Sequence, residues 1–309
     1  TGKAAAIDIV DPTKSLTASG IISGTGDLVK TGAGKLVLAG TNTYTGTTIL
    51  SAGTLSIASD GNLGANSIAF ETATLEVTNS TTIDNAFFLN TNGTGTIDAQ
   101  GNAVTVSGGI SGAGDLVKTG AGTLTLSGIG THTGTTTIKA GTLSVTDGYN
   151  LSASALTLDG GTFAVTGDSA TLANTVALAA GSGTIDISGS GATLSGAVSG
   201  SGDLTKTGSG TLTLAGTSTH TGSTTVSAGT LSISNSANLG TGALNLASGA
   251  TFAVSGTTTL ANALSIDPSA NSTIDVATGR TLALTGDISG TGALRLVNGT
   301  VLVNGDGSA

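Results

Sequence analysis

Cysteine is absent from this chain of 309 residues, and charged and aromatic side chains are scarce. Without cysteine there is no disulfide, no thiolate nucleophile and no sulfur-based metal site, which is compatible with an oxidising, extracellular setting. Only nine residues are Lys or Arg, and the net charge is −9. Because no basic run is present to neutralise phosphates, we expect no nucleic-acid partner. No apolar run is long enough to span a bilayer, so we expect no direct membrane insertion of these residues.

Glycine and small polar residues take the place of the missing types. The chain contains 51 Gly, and 38% of its residues are hydrophobic while only 9% are charged. A disordered chain needs high charge and little apolar content, so this composition favours a packed interior. That interior must be narrow and built from Leu, Ile, Val and Ala, because there are too few large rings to fill a wide one.

One phrase occurs three times, in Ser23–Ile57, Ser111–Val145 and Ser199–Ile233, with first residues 88 positions apart. A fixed period indicates equivalent units that stack and cover each other's apolar faces, and we expect one continuous domain over residues 1–309. The complete repeats are 23–110, 111–198 and 199–288, and the partial repeats are 1–22 and 289–309. Since the array begins and stops inside a repeat, we expect it to belong to a longer one.

Apolar residues alternate with Thr and Ser over short stretches of each repeat, which is the pattern of short half-buried strands. Equivalent apolar positions recur every 19 to 22 residues, as at Leu36, Leu55, Leu75 and Ile97. This spacing predicts a parallel β-solenoid with about four coils per repeat and about fourteen coils in all. At about 4.8 Å per coil, the whole would form a rod about 65–70 Å long.

Recurring glycines such as Gly24, Gly32, Gly46 and Gly53 fit the corners of such a coil, where the backbone needs positive φ or close approach. The strings SGTGD and KTGAG lack the GKS or GKT ending and the following helix of a phosphate-binding loop. No tandem calcium-binding nonapeptide and no arrangement of catalytic residues stands out. We therefore expect no enzyme activity, no cofactor and no metal site.

The repeat resembles the passenger-associated transport repeat of autotransporter adhesins. The matching pattern is GxGxLxKxGxGxLxLxGxxxxTGxTxxxAGTL, which stands here as Gly24–Leu55, Gly112–Leu143 and Gly200–Leu231. The resemblance implies a right-handed parallel β-helix that is extracellular or displayed on the surface of a Gram-negative bacterium.

A recurring D-L-x-K motif pairs an aspartate with a lysine in each repeat. The pairs are Asp27 and Lys30, Asp115 and Lys118, and Asp203 and Lys206. We interpret each aspartate as a structural corner residue that hydrogen-bonds nearby backbone, and each lysine as solvated or locally paired. Equivalent residues four coils apart are separated by about 19 Å, so they cannot share one ligand.

Tyr44, His132 and His220 occupy one equivalent position just before Thr-Gly. The exchange of Tyr with His suggests an exposed, amphipathic turn, which makes these three side chains candidate surface contacts. Two histidines so far apart cannot hold one metal ion. An Ile-Asp pair also precedes the end of each repeat, and calcium at such a turn is an alternative that the sequence leaves open. Those aspartates are Asp8, Asp98, Asp186 and Asp275.

The expected function is structural: an extracellular β-solenoid that serves as a stalk or adhesin segment and meets a host or bacterial cell surface. The alternative is a self-assembling filament or matrix subunit, in which copies of the chain join through solenoid ends or flat faces. A parallel solenoid ends in unpaired backbone groups that must be capped or matched, so the sequence keeps both functions open.

Overall fold

The computed structural model describes residues 3–269 and 271–304. Over these residues the structure is all-β, with short parallel strands wound into about 15 coils of a β-solenoid and a few single-turn 3₁₀ segments. The predicted fold class and the approximate number of coils are therefore confirmed. The chain divides into two compact units, each of which is described by itself: Thr1–Val145 with Tyr149–Ala155, and Thr146–Gly148 with Leu156–Ala309.

The first unit contains fifteen strands within the described residues. They are β1 (Ala5–Asp8), β2 (Ser15–Ala18), β3 (Leu28–Thr31), β4 (Lys35–Leu38), β5 (Thr48–Leu50), β6 (Thr54–Ile57), β7 (Ile68–Val77), β8 (Thr81–Ile83), β9 (Phe87–Asp98), β10 (Ala103–Val106), β11 (Ile110–Gly112), β12 (Asp115–Thr119), β13 (Thr123–Leu126), β14 (Thr136–Ile138) and β15 (Thr142–Val145).

Every ladder of the first unit is parallel, and each strand pairs with strands of the neighbouring coils. One ladder runs β1-β3-β5-β7-β9-β12-β14, a second runs β2-β4-β6-β7, and a third runs β8-β10-β13-β15. Leu36 lies opposite Leu55, Leu55 opposite Leu75, and Leu75 opposite Ile97, and all four are fully buried. The column predicted from their spacing is confirmed, because period-two alternation turns every second side chain of a strand inwards.

The second unit contains the remaining strands of the described chain. They are β16 (Leu156–Leu158), β17 (Thr162–Val165), β18 (Ala170–Leu172), β19 (Val176–Leu178), β20 (Gly183–Ile187), β21 (Gly191–Leu194), β22 (Val198–Gly200), β23 (Leu204–Thr207), β24 (Thr211–Leu214), β25 (Thr224–Val226), β26 (Thr230–Ile233), β27 (Leu244–Leu246), β28 (Thr251–Val254), β29 (Thr258–Leu260), β30 (Leu264–Ile266), β31 (Asn271–Leu284), β32 (Ile288–Gly290) and β33 (Ala293–Val303).

The ladders of the second unit repeat the same arrangement. They run β16-β19-β22, then β17-β20-β23-β25-β27-β30-β32, and then β18-β21-β24-β26-β28-β31-β33, with β29 also paired to β31. Leu212, Leu231, Phe252 and Ile274 lie opposite one another on successive coils and are fully buried. Each unit therefore has an interior of stacked apolar columns, in which one coil covers the next.

Single-turn 3₁₀ segments recur at one corner of the coil, 88 residues apart. They are Asp60–Asn62, Gly148–Asn150 and Ser236–Asn238. At other corners glycine is required for two different reasons. Gly32 has φ +72°, in the left-handed region that favours glycine, whereas a Cβ at Gly46 would overlap the carbonyl group of Gly26 on the preceding coil.

Candidate functional site

The lysine of the D-L-x-K motif faces the interior in all three repeats. Lys30, Lys118 and Lys206 are 1%, 0% and 0% exposed. The Nζ of Lys118 donates to the carbonyl oxygens of Thr119 and Gly120 at 2.6 and 2.8 Å, and to that of Ala140 on the next coil at 3.2 Å. Lys30 and Lys206 make the equivalent three bonds.

The expectation that these lysines are solvated or locally ion-paired is therefore wrong. Three N–H groups of the ammonium meet three backbone carbonyl oxygens at a corner, so the charge is hydrogen-bonded although it is buried. The first two carbonyls belong to the lysine's own turn and the third to the following coil, so the side chain ties two coils together. We call this arrangement the lysine clamp, and it exists at Lys30, Lys118 and Lys206.

Three of the four Ile-Asp aspartates, Asp8, Asp98 and Asp186, lie on the coil before a clamp. Asp98 is opposite Thr119, the residue after Lys118, and Asp186 is opposite Thr207, the residue after Lys206. Burial lowers the pKa of Lys118 and of Lys206 to about 8, and the neighbouring carboxylate in each case opposes that shift. These aspartates therefore supply the electrostatic surroundings of the clamp.

The aspartates of the motif bind backbone of the next coil. The Oδ1 atoms of Asp27, Asp115 and Asp203 accept hydrogen bonds from the backbone N–H groups of Thr47, Thr135 and Ser223 at 2.8, 2.7 and 2.7 Å. Each acceptor lies 20 residues before its donor, which is one coil. The carboxylates therefore join successive corners, and we propose a structural role for them.

The ring at the position before Thr-Gly points into the solenoid. Tyr44, His132 and His220 are 2%, 1% and 0% exposed, so the expectation of an exposed contact is wrong for all three. Each ring is hydrogen-bonded to a buried threonine four residues later: Tyr44 Oη to Thr48 Oγ1 at 2.6 Å, His132 Nε2 to Thr136 Oγ1 at 2.8 Å, and His220 Nε2 to Thr224 Oγ1 at 2.9 Å. Tyr and His exchange because both reach this hydroxyl, and not because the site is exposed.

A glycine on the next coil leaves the space that the ring occupies. A Cβ at Gly64 would overlap the ring of Tyr44, and a Cβ at Gly240 would lie 2.6 Å from Nδ1 of His220. Burial lowers the pKa of His132 and of His220, which favours the neutral imidazole. Within the described residues, neither Nδ1 atom has a hydrogen-bond partner.

Buried asparagines form a further recurring polar set, which was not predicted from the sequence. Asn62, Asn150 and Asn238 end the three 3₁₀ segments and are spaced 88 residues apart. The Nδ2 of Asn238 donates to the carbonyls of Ala215 and Gly216 on the preceding coil at 3.1 Å each, and its Oδ1 accepts from backbone N–H groups of its own turn. The regular spacing was a signal that these residues have a structural role.

The geometry suits stacking better than it suits chemistry on a ligand. Among residues 3–269 and 271–304, no group of three or more His, Cys, Asp or Glu side chains is arranged to hold a metal ion. The recurring polar side chains turn to carbonyls, amides or hydroxyls of the fold, and each clamp lysine, motif aspartate and 3₁₀ asparagine makes at least one bond to a neighbouring coil. A repeat unit whose polar positions are used in this way stabilises the stacking of its coils.

Comparison with known proteins identifies this unit. A family model described as passenger-associated-transport-repeat matches residues 28–57, 116–145 and 204–233. The chain carries three passenger-associated transport repeats. Each match covers a lysine clamp and the ring-threonine pair that follows it. The resemblance to the repeats of autotransporter passenger domains is therefore confirmed.

The relatives of these repeats include an adhesin. The chain is similar to "Adhesin BmaC autotransporter" of Brucella suis biovar 1 (strain 1330), with 40% identity over 100 residues. The match spans 32% of this chain and 3% of that protein's length. No solved structure matches the chain. An autotransporter passenger is located at the cell surface or outside a Gram-negative bacterium, which confirms the expected location. Within the described part of the chain, none of the helical segments has the length and hydrophobicity to span a bilayer.

Proposed function

We propose that this chain is a non-enzymatic stalk or adhesin segment of an autotransporter passenger, and that its coils form one continuous solenoid over residues 1–309. The lysine clamp carries this proposal. A buried ammonium is costly unless it is fully hydrogen-bonded, and here each one is used to hold two coils together. A repeat whose buried lysine connects two successive coils is suited to a solenoid of fixed length and direction.

The partner that we propose is a host or bacterial cell surface. The similarity to the Brucella protein, which is named an adhesin, supports this proposal. In a stalk, the repeats hold a binding region away from the outer membrane, and in an adhesin segment the faces of the coils make the contact themselves. Both roles need the same stiff array of coils.

Electron microscopy of the purified chain over a range of concentrations tests the proposal. At about 4.8 Å per coil, the stalk role requires separate straight rods about 65–70 Å long at every concentration. Regular filaments that lengthen with concentration would contradict it and support assembly of copies end to end. Globular or bent particles would contradict the continuous solenoid. A matched variant with Lys30, Lys118 and Lys206 replaced by Met should give less straight particles if the clamps stiffen the rod.

A further inference from the structure

An apolar column lies on the outer face of the first unit. Ala6, Val29, Ile49, Ala69 and Phe88 lie opposite one another on strands β1, β3, β5, β7 and β9. We call these five residues the outer stripe. Phe88 shows the orientation most clearly, since it is 45% exposed while its neighbours in the strand are fully buried. Five strands at about 4.8 Å spacing make the stripe about 19 Å long.

The fold does not require this column to be apolar. In the second unit the equivalent column also runs across five paired strands, and its residues are Thr184, Thr205, Thr225, Asn245 and Ser265. The inward-facing columns of the two units are equally apolar, so the difference is confined to the outer face. A repeat with the same register folds with a polar stripe, and the apolar one therefore has a role outside folding.

Carboxylates border the outer stripe, and the exposed Lys3, which precedes β1, lines a surface pocket together with Asp27. Asp8, Asp27 and Glu71 lie two residues before or after stripe positions, on the same face. The five strands that carry the stripe contain one basic residue, Lys30, and its ammonium is buried in a clamp. The surface is therefore an apolar strip with a carboxylate rim, on a chain whose net charge is −9.

We propose that the outer stripe is a docking surface for a cationic polypeptide segment that presents apolar side chains. The apolar side chains pack on Val29, Ile49 and Phe88, and the basic ones meet the carboxylates of the rim, which gives charge complementarity. A second copy of the chain does not fit, because two outer stripes that face each other would place the carboxylates of one rim against those of the other. A standard protein interface buries about 800 Å² on each partner, and the outer stripe offers a smaller area, so the binding is weak and reversible.

A labelled peptide tests this surface on the intact chain. Fluorescence anisotropy is measured with a fluorescein-labelled decapeptide of alternating Leu and Lys, kept monomeric, and with matched decapeptides of Leu and Glu and of Ser and Lys. We expect the Leu-Lys peptide to bind, the Leu-Glu peptide not to bind, and the Ser-Lys peptide to bind at least about tenfold more weakly. Raising the salt from about 50 to about 300 mM should weaken the Leu-Lys complex several-fold, because exposed charges are screened.

The second unit supplies the matched variants. Val29→Thr, Ile49→Thr, Ala69→Asn and Phe88→Ser together give four of the five stripe positions the polar residues of the second unit. This variant should lose binding at least about tenfold, with an unchanged melting temperature. The reverse graft consists of Thr205→Val, Thr225→Ile, Asn245→Ala and Ser265→Phe, and it should create a second site of similar affinity, since Asp186 and Asp203 provide a rim there.

Three results would overturn the proposal: no binding of the Leu-Lys peptide, equal binding of the Leu-Lys and Ser-Lys peptides, or equal binding by the chain and its polar-stripe variant. A concentration-dependent dimer that the polar-stripe variant abolishes would instead identify a second copy as the occupant, and would also overturn it. The stalk role is tested separately, because the peptide result depends on one face and the rod length depends on the stacking of coils.

Discussion

Replacement of Lys118 by methionine tests whether the lysine clamp stabilises the joint between coils. Methionine keeps most of the length and volume of the lysine stem but has no donor. The carbonyl oxygens of Thr119, Gly120 and Ala140 then lose the ammonium as a donor, and the first two of these bonds are short, at 2.6 and 2.8 Å. The carbonyl of Thr119 keeps the backbone N–H of Ala99 at 3.3 Å. All three are backbone groups, so the loss is felt by the coil of Lys118 and by the coil that follows.

The size of the effect follows from the two short bonds. A buried acceptor that loses its donor costs about 1–3 kcal/mol, but methionine also removes the cost of burying an ammonium. Counting the two short bonds at about 1–2 kcal/mol each, we expect the local free energy of opening to fall by about 2–4 kcal/mol. Amide exchange in the coils on both sides should then accelerate by about 30- to 1,000-fold.

Hydrogen exchange measured by mass spectrometry is the suitable assay, because the stability of a repeat array is a sum of local terms. Lys139→Met is the matched control, since Lys139 lies one residue before Ala140 and is exposed. Lys206→Met should reproduce the effect in the second unit. Exchange in the Lys118→Met variant that equals exchange in the Lys139→Met variant would refute the view that the clamp holds the coils together.

Further substitutions test the ring position, the core and a close approach. Burial lowers the pKa of His220, so the unfolded chain takes up a proton before the folded chain does as the pH falls through about 6.5, and stability is lost below that pH. His220→Tyr should reduce this loss of stability, measured by urea titrations at pH 7 and pH 5. Equal losses in the variant and the unchanged chain would contradict the argument. Leu126→Asp buries an unpaired carboxylate and should accelerate hydrogen exchange in the adjacent coils, whereas unchanged exchange would refute the register. A Cβ at Gly222 would overlap the carbonyl oxygen of Gly202, so Gly222→Ala should cost about 1–3 kcal/mol in thermal unfolding, while Gly101→Ala, with open space around it, should cost little. Equal melting temperatures for the two alanine variants would contradict the close approach.

The fold could be predicted because the stacking of coils produces two periodic patterns in the sequence. The 88-residue period gives the repeat, and the spacing from Leu36 to Leu55 to Leu75 gives the length of a coil, which the register confirms. Each inward residue needs an apolar neighbour one coil away, so spacing along the chain translates directly into neighbours in space.

The orientation of the lysines was misjudged although the alternation contained it. Lys30 is two residues after Leu28, so period two places both on the same inward face, and the structure buries both. The error came from the general rule that lysine is exposed unless it is paired. Three carbonyls converge on each ammonium only after two coils have stacked, and no local pattern in the sequence indicates this arrangement.

The burial of the rings has a similar cause. YTGTT, HTGTT and HTGST each place a threonine four residues after the ring, and this spacing was the available signal. The exchange of Tyr44 with His132 looked like tolerance at a surface, yet it reflects one shared hydrogen bond inside. Gly64 completes the site from the next coil, where sequence neighbours give no information.

Particle length after removal of one repeat is the most direct test of a continuous solenoid with about four coils per repeat. Deleting residues 111–198 joins equivalent positions and keeps the order of strands within the repeat. In electron micrographs the rods should shorten by about 19 Å, which is four coils at about 4.8 Å each, and should remain straight. Rods of unchanged length, or particles that lose their rod shape, would contradict the stacking of coils on which the proposed stalk role depends.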